Sequence, residues 1–115
     1  MGPGTRSALR ELRKWLPAPM PVKVRTRRRV LGGPGEILKG FAQALQGPGG
    51  CVVGFDVVID GSMPDWCQKE ALVHEWAHCL SWPHEENVAD DHSPEWGVAY
   101  ARCYRLVYQG SHEFG

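Results

Sequence analysis

The sequence predicts an α+β fold, and three observations carry that expectation. Apolar residues recur at helical spacing near both ends of the chain, alternating and β-rich runs lie between them, and the best strand pattern leads directly into a long helical pattern. The expected arrangement is an N-terminal helix, a small sheet of about three strands, a central helix and a C-terminal helix. At 115 residues and 43% hydrophobic content, the chain is long enough for one core and too short for two, so residues 1–115 are read as a single domain.

Ser7 is the expected cap of a first helix in which Leu9, Leu12, Trp15 and Leu16 share a face, with Arg10, Arg13 and Lys14 opposite. Pro17, Pro19 and Pro21 end it. Val22, Val24 and Thr26 alternate with Lys23, Arg25 and Arg27, the period of a half-buried strand with a basic outer face. Residues 31–36 are glycine-rich and read as a loop. Ile37 to Leu45 fits a strand better than a short helix, Gly47 to Gly50 reads as a turn, and Cys51 to Ile59 is the strongest strand. Ser62, three residues before Asp65, is the expected cap of a long helix running to about Ser81. Beyond an acidic connection, Ser93, Pro94 and Glu95 open a last helix whose apolar stripe is Trp96, Ala99, Tyr100, Cys103 and Val107.

The formal net charge is zero, yet residues 1–40 hold ten Lys or Arg against two acidic residues, and the remainder is correspondingly acidic. Such asymmetry means either a polyanion-facing surface beside a cation site or two faces that neutralise each other within one fold. The four cysteines (Cys51, Cys67, Cys79, Cys103) form no Cys-x-x-Cys pair and read as buried free thiols of a reducing compartment. With no apolar run long enough to span a bilayer and no secretory signal at Met1 to Arg10, the expected location is cytoplasmic, away from membranes.

His74-Glu75-Trp76-Ala77-His78 matches HExxH. On a helix the two histidines fall one turn apart on one face, spaced to share a tetrahedral zinc ion (Zn2+), and Glu75 projects beside them to activate a zinc-bound water. The expected activity is therefore that of a zinc metallopeptidase, with Glu75 as the catalytic carboxylate. A catalytic zinc usually takes three protein ligands. His92 is the preferred third donor, with Asp91 placed to orient its ring. His84 has the metzincin spacing but lacks the glycine required at Ser81 and any methionine after the motif, and Glu95 is explained as a first-turn carboxylate. These alternatives stay open from sequence alone.

The segment His74 to His78, followed by His92-Ser93-Pro94-Glu95-Trp96, resembles the SprT-like metallopeptidases, whose third ligand opens a His-Gly-Pro-Glu-Phe/Trp segment. Here Ser93 stands at the glycine. Residues Gly97 to Arg105 are similar to the last helix of small bacterial and phage members, and Cys51 to Tyr104 is the stretch covered best. The resemblance implies a minimal zincin core, His74, His78 and His92 as metal ligands, and proteolysis of proteins crosslinked to DNA. Better-known relatives carry added DNA-binding or zinc-ribbon segments, and this chain has no cysteine cluster to build one. Only Lys23, Arg25, Arg27, Arg28 and Arg29 offer non-specific phosphate contacts.

Tyr100, Tyr104, Arg102 and His84 are all chemically able to stabilise an oxyanion, although Tyr100 also fits a core position. The strand Cys51 to Ile59 is expected to offer an edge to an extended peptide substrate. Trp76, Trp82 and Trp96 are expected to pack the two motif-bearing helices together. The competing class is a non-catalytic, zinc-stabilised module that binds DNA or a protein partner through its basic half.

Overall fold

A computed structural model of the chain describes the backbone of residues 1–33, 36–82 and 93–110, and the side chains of those residues apart from 31–38. It shows an α+β fold: helix α1 (Pro3–Trp15), strands β1 (Val22–Arg27), β2 (Val30–Gly33), β3 (Glu36–Leu38), β4 (Gly40–Gln46) and β5 (Val52–Asp60), then helices α2 (Asp65–Ser81) and α3 (Pro94–Gln109). The main sheet is mixed and three-stranded in the order β1-β5-β4, with β1 parallel and β4 antiparallel to β5. Strands β2 and β3 form a separate antiparallel pair where a loop was expected over 31–36. Val30, 1% exposed, anchors that pair, and β2 approaches β5.

Alternation divides β5 between two environments. Phe55, Val57 and Ile59 face the helices and join Leu12, Leu16, Val22, Leu72, Val73, Trp76, Cys103 and Leu106 in one apolar cluster. Asp56 and Val58 occupy the other face and are also buried. Asp56 accepts a two-pronged contact from Arg25 on the parallel neighbour (Nε 3.2 Å, Nη2 2.9 Å), and the guanidinium holds its carboxyl below the ordinary range. This ion pair joins the basic and acidic halves of the sequence and engages one of the five cations expected to meet phosphates. Lys23, Arg27, Arg28 and Arg29 remain exposed.

Because β5 lies in the middle of its sheet, both of its edges are paired, and the expectation that it offers an edge to a peptide is overturned. The edge strands are β1 and β4, and the outer side of β4 has no strand partner among the described residues. Helix α2 is buried on nearly every side and contacts α1, α3, β4 and β5, so it forms the centre of the fold.

Two expected caps act differently. Helix α1 starts at Pro3, so Ser7 sits exposed inside it. Its first N–H groups are taken by Asp65, the first residue of α2: Gly4 N donates to Oδ2 (2.9 Å), and Thr5 N (3.0 Å) and Thr5 Oγ1 (2.6 Å) donate to Oδ1. A Cβ on Gly4 would meet Oδ2 at 2.6 Å, so the bare glycine lets the carboxylate approach. Ser62 caps nothing in α2; its Oγ bonds the Asp60 carboxylate at 2.6 Å, and Pro64 takes the N-cap position. Ser93 behaves as expected, its Oγ accepting from Trp96 N at 3.2 Å.

The tryptophans also divide their roles. Trp76 ties α2 to the end of α1, its Nε1–H donating to the Leu16 carbonyl at 2.8 Å, and Trp82 meets Phe55 of β5 edge-on at 5.9 Å. Trp96 bridges α2 and α3. The four cysteines are free, as expected, with Cys79 and Cys103 buried; Cys51 is exposed and Cys67 half-buried, which corrects the expectation of four buried thiols. Burial pushes the Cys103 thiol up to about 12, so it stays protonated. Among the described residues no helix is long and apolar enough to cross a membrane.

Leu12 is fully buried where α1 meets the core, so Leu12→Ala should cost about 2–5 kcal/mol in denaturant unfolding. The Thr5 hydroxyl, then the Thr5 and Gly4 N–H groups, hold the Asp65 carboxyl below its ordinary value. A depressed folded pKa contributes stability above the unfolded value near about 3.9, and the contribution disappears as pH falls through the folded value. Asp65→Ala should therefore lower Tm at pH 7, with the gap to wild type closing below about pH 4 in thermal melts followed by circular dichroism.

Candidate metal centre

Helix α2 is 17 residues long and continuous through His74, Glu75 and His78. Its pitch sets the two imidazoles one turn apart on the same side, with ring centroids 5.0 Å apart and planes crossing at 66°. One donor atom from each histidine and one Glu75 carboxylate oxygen all lie within 4.8 Å of one another. Both histidines are half-buried and Glu75 is 7% exposed. This group can hold a metal ion: two imidazole nitrogens suit a transition metal, and the neighbouring carboxylate is close enough to act on whatever binds there.

His74 and Glu75 open onto a cleft of about 340 Å³ whose wall also includes Lys39, Gly40, Glu70, Ala71 and Tyr100. One side is the start of β4. A Cβ on Gly40 would meet the Val58 carbonyl oxygen at 2.8 Å, so the absent side chain lets β4 lie close against β5, while the Ala71 methyl of α2 would stand at an ordinary 3.8 Å. Lys39 and Glu70 place opposite charges on the cleft. Glu70 precedes His74 by one helical turn, so its membership was legible from i, i+4 spacing, although sequence reasoning passed over it. Lys39 and Gly40 carry no local signal and reach the cleft only through the sheet.

Trp96, in the first turn of α3, lies against both metal-side rings, 4.9 Å from His74 and 5.4 Å from His78. Its Nε1–H donates to the His74 backbone carbonyl at 3.4 Å. The indole also stacks on Tyr100, with centroids 4.9 Å apart and planes 21° from parallel. From there the rings of Tyr104 and Tyr108 follow at successive helical turns, 6.2 and 4.7 Å apart, and Lys69 Nζ sits 4.8 Å over Tyr108. Burial, then the charge of Glu70 and the neighbouring Tyr104, push the Tyr100 phenol up; burial and Glu70 push Tyr108 to about 12.

The structure separates several of the expected site residues. His74, Glu75 and His78 come together, and Tyr100 lines the cleft beside His74 and Glu75. Arg102 and Glu95 instead line a different hollow with Leu80 and Val98, and Tyr104 is 42% exposed one turn beyond Tyr100. His84, Asp91 and His92 lie outside the described residues, as does the acidic connection Glu85 to Asp91.

No family model, curated protein or solved structure matches the chain.

If the two imidazoles hold a metal together, His74→Ala and His78→Ala should each reduce bound metal from about one ion per chain towards none. Elemental analysis after dialysis, with circular dichroism confirming the helical content, measures this.

Proposed function

We propose that the chain is a zinc-dependent metallopeptidase that hydrolyses peptide bonds, with Glu75 as the general base and acid and His74, His78 and His92 as the metal ligands. The observation that carries the reading is the convergence of two imidazoles and one buried carboxylate, all within 4.8 Å, at the mouth of a cleft bordered by an edge strand. Two nitrogen donors with one more to come are the chemistry of a catalytic zinc site, which keeps a position open for reaction. Support for His92 comes from α3: Trp96, in its first turn, lies against both histidine rings, and His92 is the residue before the Ser93 cap.

A bound zinc ion supplies Lewis acidity towards a carbonyl oxygen and lowers the pKa of a water. Glu75 removes a proton from the attacking water as the new carbon–oxygen bond forms. The same carboxyl then delivers that proton to the amine nitrogen as the carbon–nitrogen bond breaks. The carboxylate is 7% exposed, and adjacency to His74 keeps it in reach of the reacting atoms. An extended substrate adds to the outer edge of β4, where main-chain hydrogen bonds set its direction past Gly40.

The resemblance to SprT-like peptidases points further, to proteins bound on DNA as substrates. What this chain offers a phosphate backbone is the exposed set Lys23, Arg27, Arg28 and Arg29. Those same exposed cations favour the second reading, a zinc-stabilised module that binds DNA or a protein without cleaving it.

Zinc per chain, measured for wild type, His92→Ala and His84→Ala, separates the third ligand: His92→Ala is expected to lose zinc and His84→Ala to keep it. Glu75→Gln should retain zinc and lower cleavage of a panel of unfolded proteins, tested with and without DNA, by at least about a hundredfold. Wild-type protein that holds zinc, binds DNA and cleaves nothing would favour the module instead.

A further inference from the structure

We infer that Tyr100 is the oxyanion donor of the site, its phenol hydroxyl hydrogen-bonding to the scissile carbonyl oxygen as that oxygen gains negative charge. The inference rests on the peptidase reading and adds a residue to it. An HExxH carboxylate manages protons but offers no donor to the charge that builds on the carbonyl oxygen, so a hydrogen-bond donor at the cleft would add to what a metal ion supplies there. Four residues are chemically able to serve, of which His84 lies outside the described residues. Arg102 faces another hollow with Glu95 and Val98, and Tyr104 lies one turn beyond the cleft. Tyr100 lines the same cleft as His74 and Glu75, its ring centroid 6.4 Å from that of His74.

The position is also held in place. Tyr100 stacks on Trp96, and Trp96 is tied by its indole N–H to the carbonyl of His74 itself, so the phenol and the first metal-side ring share one anchor. A donor fixed before reaction costs no reorganisation when charge develops, which is the condition under which such a bond contributes most. Ala99 and Cys103, the neighbours of Tyr100 along α3, are buried in the core and pin the helix face that presents the ring. The phenol keeps its proton throughout: the water proton moves only to Glu75 and then to the leaving amine, and Tyr100 donates a hydrogen bond without transferring anything.

Tyr100→Phe removes a single oxygen from a half-buried ring and keeps the stack on Trp96. With fluorescent casein as substrate, it should lower kcat about a hundredfold with KM and zinc content near wild type. Independently of turnover, calorimetry should show a phosphinic peptide, whose tetrahedral oxygen copies the developing charge, losing affinity for Tyr100→Phe while an ordinary amide peptide does not. Tyr100→His, which restores an N–H donor, should recover part of kcat and serves if the Phe variant folds poorly; Tyr104→Phe should match wild type. Full activity in Tyr100→Phe, with Glu75→Gln inactive, would overturn the assignment and leave the peptidase standing. Wild-type protein that neither cleaves casein nor binds the phosphinic peptide would overturn both.

Discussion

Helix α2 must satisfy two demands along one length of chain: it is packed by α1, α3 and two strands, and it must still present polar side chains to an open cleft. A helix surrounded in this way has no continuous polar face, and the apolar residues Ala71, Leu72, Val73, Trp76, Ala77 and Cys79 point in nearly all directions. His74 and His78 occupy the narrow half-buried strip that is left. Their spacing is then enforced by the rigidity of a helix held from several sides, which is how a site on a regular element keeps its donors in place without loops.

The surrounding elements are fastened to α2 by polar contacts at its start and past its middle. Near its start, Asp65 reaches back to the first N–H groups of α1, so one carboxylate fixes the first turns of two helices. Near the histidines, Trp96 bonds to the His74 carbonyl and sets the start of α3 against the same strip. Both ties join residues distant in sequence, and both fall where apolar packing alone would permit a helix to slide along its neighbour.

Much of this was legible from local pattern. The alternation of Val22 to Arg27, the β-branched run ending at Ile59 and the Ser93-Pro94-Glu95 start are short-range signals, and each produced the expected element. HExxH was legible because helical pitch alone converts a four-residue interval into a shared face. What local pattern misjudged was partner choice. Ser62 and Ser7 are sound capping residues by type, yet Asp60 claimed the first and a long-range carboxylate displaced the second. Similarly, the strongest strand was taken for an exposed one, although a near-continuous apolar run such as Val57-Val58-Ile59 signals burial on both faces and hence a central position. The β2–β3 pair escaped notice because its glycines suppress any alternation.

Strand order also resolves the charge asymmetry of the sequence. With β5 in the middle, the basic strand β1 and the cleft-bordering strand β4 lie on opposite sides of it, roughly 10 Å apart at one strand spacing each. Arg25 folds inward onto Asp56, one pairing between the two halves, while Lys23, Arg27, Arg28 and Arg29 keep a cationic margin at the far edge. A polyanion held along that margin and a peptide added to β4 would therefore not compete for the same backbone groups. At about one Debye length, the cations would still bias the field at the cleft only weakly. The cations of β1 and the histidines of α2 thus lie on separate surfaces of one fold.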